Sequence, residues 1–238
     1  MSTDFLFELG TEELPPKVLM RLSEALTTGI VSGFKAHQLC FGEVVSYAAP
    51  RRLAVMIRGL DRQASDAEVV AWGPPTKVAF DGEGLPTRAA VAFAEKNAVA
   101  IEDLKGLVES DGQQDKLCVR RTDPGCQTSS LLGQVINDSL ANLPIPKRMR
   151  WGSKKVEFVR PVQWAVLLFD GKVCRETILG IESSNASRGH RFHSPGEIII
   201  DSPVSYAEQL EKAFVIVDFS RRRNIIRQGV TTLATSIN

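Results

Sequence analysis

The sequence predicts an α+β fold with mixed, largely antiparallel sheets and packed helices. Three observations carry that expectation. Phe5, Phe7 and Leu9 share one face of a half-buried strand, and Val18, Leu22, Leu26, Ile30 and Phe34 follow at helical spacing. Asp170-Gly171 sits between two apolar stretches, a hairpin signal. Strands and helices interleave irregularly, with no repeat at a fixed period.

Taken in order, the strand 4–9 turns at Gly10-Thr11 into Pro15-Pro16, which suit a first helical turn because a missing N–H costs little there. That helix runs to Ala36. Stretches 43–49 and 53–60 read as strands joined at Pro50-Arg51-Arg52. A polar link, 61–68, leads to a short strand at 69–72 that Gly73-Pro74-Pro75 should stop, and Gly82-x-Gly84 lies in a turn. An Ala-rich helix is expected over 86–97, and 107–109 can pair with 116–122 around Asp111-Gly112. An amphipathic helix follows at 129–143. Beyond Pro144 and Pro146 strands dominate: 162–169 with 172–179, then 197–201. A helix opening at Ser202-Pro203, a short strand 215–217 and a final helix capped by Asp218 complete the order.

A chain of 238 residues makes one large domain or two small ones, at roughly 100–200 residues each. Residues 66–142 are the candidate inserted or second lobe. Cys40, Cys118, Cys126 and Cys174 lack the paired spacing of a zinc site and read as reduced thiols of a cytoplasmic protein. No apolar run approaches the roughly 20 residues of a membrane span, so no membrane partner is expected. No phosphate loop, dinucleotide fingerprint, nucleophile elbow or His-Glu-x-x-His pair is present, so no catalytic residue and no metal site is assigned.

Charge is unevenly spread. Residues 1–142 carry 14 Lys and Arg against 19 Asp and Glu, whereas 143–193 carry 10 against 4. An anionic partner would meet the second block first; a solvated basic face is the plainer reading. Within it, Lys147, Arg148, Arg150, Lys154 and Lys155 surround Trp151, a pattern that suits phosphates and a stacked base, an acidic protein partner, or a core tryptophan among solvated cations. Arg51-Arg52 and Arg221-Arg222-Arg223 can extend such a surface. Arg188, His190 and Arg191 can grip phosphates beside Phe192, or form a loop anchored by one buried aromatic. Glu12 and Glu13 stand ahead of a helix start, where negative charge is favoured by roughly 0.3–1 kcal/mol. They cap that helix or receive a cationic group.

Five motifs, Glu8 to Pro16 (ELGTEELPP), Ala49 to Val55 (APRRLAV), Leu143 to Gly152 (LPIPKRMRWG), Phe158 to Val162 (FVRPV) and Arg188 to Phe192 (RGHRF), together resemble the N-terminal region of the β subunit of the bacterial two-subunit glycyl-tRNA synthetase. The resemblance implies a chain covering about a third of a longer subunit, with the C-terminal anticodon-binding part absent. It implies an α2β2 heterotetramer that joins glycine to tRNA(Gly) using ATP with magnesium, through an aminoacylation site in the α subunit, while β binds tRNA and supports α. The fold it implies is remotely like the editing-type domain of the phenylalanyl-tRNA synthetase β subunit. The candidate RNA-binding residues are Arg51, Arg52, Lys147, Arg148, Arg150, Trp151, Arg160, Arg188, His190 and Arg191. Residues 102–127 carry no family motif and are expected to be an idiosyncratic loop. Two rival functions stand beside tRNA binding: a hydrolytic editing domain with Glu12, Glu13 or His190 as base, and a protein-interaction module for the α subunit.

Overall fold

A computed structural model describes residues 3–153 and 155–237. The chain divides into two compact units, 1–64 with 126–238, and 65–125.

The first unit is built on strand β1, Phe5–Thr11, every residue of which is buried. The chain turns at 16–18 and enters α1, Leu19–Ala36, a few residues later than the prolines predict. It returns as the hairpin β2, Val44–Ala49, and β3, Arg52–Ile57.

The second unit begins with β4, Ala67–Pro75. This strand continues through Gly73-Pro74-Pro75 rather than stopping there. It lies at a sheet edge, where a proline's missing N–H breaks no ladder, and its register shifts between Trp72 and Pro75. A single turn, α2 (Thr76–Ala79), and α3 (Arg88–Lys96) follow. Residues 102–127 are ordered structure and not an idiosyncratic loop. A 3-10 helix over Ile101–Leu107 leads to β5, Val108–Ser110, and β6, Asp115–Asp123, the centre of the sheet β4-β6-β5. Ala79, Ala90, Ala94, Leu104 and Leu117 form the small core of this unit.

The chain re-enters the first unit as α4, Thr128–Ala141, so the second unit ends before the helix that the 66–142 lobe would have included. Short strands β7, Met149–Arg150, and β8, Glu157–Phe158, pair with each other. Strand β9, Val162–Phe169, turns through Asp170 and Gly171, both at positive φ, into β10, Lys172–Val173. The second arm is far shorter than the sequence suggests. The chain peels away to make a further ribbon, β11 (Thr177–Ile178) and β12 (Ile181–Glu182). Strands β13, Ala186–Arg188, and β14, Glu197–Ile199, pair next, followed by α5, Tyr206–Lys212, and α6, Phe219–Ile237. Residues 215–217 form no strand. Ala48 N–H instead donates to the carbonyl of Val217, pinning that segment to β2. Asp218 caps α6 as expected, its Oδ1 accepting from Arg221 N–H at 2.9 Å.

The main sheet runs β10-β9-β1-β3-β2, and its pairings are antiparallel. Both faces are covered, which corrects the half-buried reading of the first strand. Phe5, Phe7 and Leu9 point to a core with α1 and α4, where Phe5 meets Phe34 edge-on at 5.4 Å. Those helices pack closely because α1 offers no side chain at Gly33: a Cβ there would stand 2.7 Å from Val135. Leu6 faces a second core with Tyr47, Met56, Trp164, Tyr206 and Leu210. Since successive strand residues point to opposite faces, the same alternation sends Glu8 into that second core.

Candidate functional site

Glu8 is wholly buried. An isolated carboxylate there would be prohibitive, so its oxygens are fully engaged. They accept from the indole N–H of Trp164, the hydroxyl of Tyr206 and the hydroxyl of Ser187 at 2.6 Å, and face Arg52 Nη1 at 3.5 Å. Burial, then the charge of Glu8, pushes the Tyr206 hydroxyl well above its ordinary pKa, so it stays a donor. Arg52 also donates to Ser187 Oγ at 3.2 Å and to the carbonyl of Arg188. This polar cluster ties β1, β3, β9 and α5 to β13 and so places the residues that follow Arg188.

Arg52 is 2% exposed, and that corrects its assignment as an RNA contact: it is an internal strut. The guanidinium carbons of Arg51, Arg52 and Arg188 lie 5.6, 5.4 and 5.4 Å from the Trp164 ring centroid, a shared cation–π platform.

Arg51 and Arg52 also line a cleft of about 330 Å³. The Pro50-Arg51 turn forms one wall, His190 to Phe192 another, and Phe214 to Ile216 with Arg222 a third. A second hollow of about 190 Å³ adjoins it, sharing Arg51, Gly189 and Arg191 and adding Arg188 and Ser194. Arg191 pairs with Glu12 at 3.1 Å and Glu13 at 3.4 Å, and Arg51 meets Glu12 at 3.8 Å. Burial first, then the neighbouring Arg191 charge, hold the Arg51 guanidinium below its ordinary pKa. Burial does the same to Arg222, which donates to the carbonyls of Ile216 and Ala48 at 2.6 and 2.9 Å. His190 Nδ1 accepts from the N–H groups of Phe192 and His193, both at 3.2 Å, so its ring proton belongs on Nε2. His193 lies between His190, at 4.5 Å, and Phe214, at 5.5 Å, its ring tilted to both. No group of three potential metal ligands occurs among the described residues.

A family model for the glycyl-tRNA synthetase beta subunit matches residues 5–238. The chain belongs to that family. It is 47% identical over 231 residues to the glycine–tRNA ligase beta subunit of Pseudomonas entomophila (strain L48), which covers 97% of this chain and 33% of the relative. It is 48% identical over 235 residues to that of Stutzerimonas stutzeri (strain A1501), covering 99% and 34%. The corresponding subunit of Marinobacter nauticus is 47% identical over 232 residues. The chain thus spans about a third of the length of these beta-subunit relatives.

In this member of the glycyl-tRNA synthetase beta-subunit family, the candidates divide into three groups. Arg51, Arg188, His190 and Arg191 line the two adjoining hollows with Glu13, and Glu12 pairs with Arg51 and Arg191 beside them. Arg160 is half-buried and donates to the carbonyls of Glu13 and Val159, a strut that lines neither hollow. The basic segment is mostly a surface. Lys147 and Lys155 are exposed, Arg150 pairs with Glu157 at 2.6 Å, and half-buried Arg148 donates to the carbonyl of Ala141 at 2.7 Å. Trp151 is half-buried against the main core and is not a free stacking platform. Lys154 lies outside the described residues. Arg221 is taken up by Glu211, while Arg222 joins the cleft.

Sequence reasoning missed Glu8, Trp164, Ser187, Tyr206 and Phe214. A carboxylate at an alternate position of an otherwise apolar strand was the available signal for Glu8. Phe214 had none: it sits at φ 63° in the α5–α6 connection, a conformation that no local pattern announces.

Proposed function

We propose that this chain is the N-terminal region of the β subunit of a cytoplasmic α2β2 glycine–tRNA ligase, where it contacts tRNA(Gly) and supports the α subunit. Glycine activation with ATP and magnesium belongs to α in this reading, in keeping with the absence of a phosphate-cradling motif here. The observation that carries the assignment is identity of 47–48% along 97–99% of the chain to glycine–tRNA ligase beta subunits. The RNA contact is supported by the guanidiniums of Arg51, Arg188 and Arg191 lining adjoining hollows, since arginine forks match phosphate oxygens. Salt-dependent binding of the chain to tRNA(Gly) tests it. Neutralised phosphates release counterions, so affinity should fall steeply with salt, and a flat profile refutes the contact. A glycine-dependent ATP–pyrophosphate exchange signal from the pure chain refutes the division of labour.

Hydrolytic editing is a second reading, favoured by one observation: Glu13 and His190 line the same cleft, with Glu12 sharing Arg191. Release of the amino acid from mischarged tRNA by the chain tests it.

A further inference from the structure

We propose that the paired hollows form a binding site for one nucleotide unit, its phosphate held by Arg51, Arg188 and Arg191 and its base laid against Phe192 and Phe214. Five arginines line the two hollows; Arg52 is paired with Glu8, which leaves Arg51, Arg188, Arg191 and Arg222 against the carboxylates of Glu12 and Glu13. The balance leaves positive charge for an anionic ligand. The smaller hollow is the charged one. Its walls bring Arg51, Arg188 and Arg191 together beside Ser194, a set of forked donors suited to one phosphate. Arg51, Gly189 and Arg191 are common to both hollows.

The larger hollow supplies the other half of a nucleotide site. Phe192 is 81% exposed and Phe214 63% exposed, and both line it. Large aromatic rings held in water are natural surfaces for a flat base. Phe192 is carried by the same loop whose His190 ring accepts the Phe192 and His193 N–H groups, so that loop is folded on itself before any ligand arrives. The guanidiniums are likewise set in place, Arg191 by Glu12 and Glu13 and Arg222 by two carbonyls. At about 330 Å³ the larger space has the volume of a small-ligand pocket. An acidic peptide would use the cations but has less need of two exposed rings.

A nucleotide unit can come from two sources, a free mononucleotide or an unpaired residue of an RNA strand; the RNA form rests on the reading that this chain contacts tRNA. The test is titration of the 238-residue chain with inorganic phosphate, with nucleoside monophosphates, with a short single-stranded RNA and with tRNA(Gly), repeated for Phe192→Ala, Phe214→Ala and Arg191→Ala. Exposed positions 191, 192 and 214 keep the variants folded, which melting temperatures verify. Nucleoside monophosphates should bind more tightly than phosphate. Each phenylalanine change should weaken nucleotide binding about fivefold or more while leaving phosphate binding unchanged, the size of a lost base stack. Arg191→Ala should weaken both. Single-stranded RNA binding more tightly than mononucleotides identifies the RNA source, and equal affinities identify a free nucleotide; either supports the site. Nucleotide binding that is absent, no tighter than phosphate, or unchanged in both phenylalanine variants overturns it, as does an acidic aromatic peptide binding where nucleotides do not. If tRNA and mononucleotide binding both survive unchanged in the Phe192→Ala/Phe214→Ala double variant, the nucleotide site falls and the tRNA contact stands; if only tRNA binding survives, the site takes a free nucleotide and tRNA is held elsewhere; if the wild-type chain binds no tRNA, the broader reading falls.

Discussion

Trp164 lies across Gly10, its partner on the neighbouring strand, so closely that a Cβ on Gly10 would overlap the indole. The missing side chain lets the ring lie flat and aim its N–H diagonally at Glu8, two residues back along β1. Gly10→Ala should therefore displace the ring and loosen the cluster around Glu8. Overpacking of this kind costs about 1–3 kcal/mol, and more where a buried hydrogen bond breaks with it. Urea unfolding measures the loss, and the near-ultraviolet dichroism of the tryptophans reports whether the indole has moved.

Glu8→Ala should destabilise the chain by about 3–5 kcal/mol, because Arg52 would be left buried without its anion. Glu8→Gln should cost less, since the amide oxygen can still accept from Trp164 and Ser187 while its NH2 donates to the Tyr206 hydroxyl oxygen. Equal stability of both variants and wild type in urea would show that the cluster is not an anchor.

Asp111 lets pH be read in the second unit. Its carboxylate is drawn down to about 2, first by the side-chain bond from Lys116 and then by the N–H groups of Gln114 and Gln113. A depressed folded pKa stabilises the ionised form. The contribution is complete above the unfolded value near 3.8 and is lost as pH falls through about 2. Asp111→Asn should flatten the stability profile of residues 65–125 between about pH 4 and pH 2, read by hydrogen exchange of β5 and β6.

Replacing Lys147, Arg148 and Arg150 together by alanine should leave the melting temperature nearly unchanged. The Arg150–Glu157 pair is exposed, and such pairs contribute about 0–1 kcal/mol. Trp151→Ala should destabilise, by less than the roughly 3–5 kcal/mol of a fully buried aromatic, because only part of the indole packs on the core. Under the proposed tRNA contact, the triple change should raise the Michaelis constant for tRNA in the assembled ligase. Wild-type charging efficiency in that variant would mark the segment as a solvated face.

The order of strands and helices was legible from sequence because local patterns record it. Apolar spacing in Leu22, Leu26, Ile30 and Phe34 is a property of one helix, and Asp170-Gly171 is a turn wherever positive φ is needed twice. The lengths of the arms around that turn were not legible: past Val173 only Cys174 N–H still reaches β9, at Leu167, and Thr177 and Ile178 pair with β12.

By itself the sequence determined the α+β class, the principal elements and, through five motifs, the family to which the chain belongs. It also drew attention to Arg51, Arg188, His190 and Arg191, which the fold brings to two adjoining hollows. Only tertiary structure decided that Arg52 is sealed in by Glu8 while its neighbour Arg51 stays partly exposed, although both guanidiniums lie over Trp164, because only the packed layers say what covers each side chain. Only tertiary structure brought Phe214 and Arg222 to meet Arg51 across some 160 residues of chain. Those contacts depend on α5 docking over Glu8, and burial of that kind is a property of the assembled layers that no local window of sequence contains.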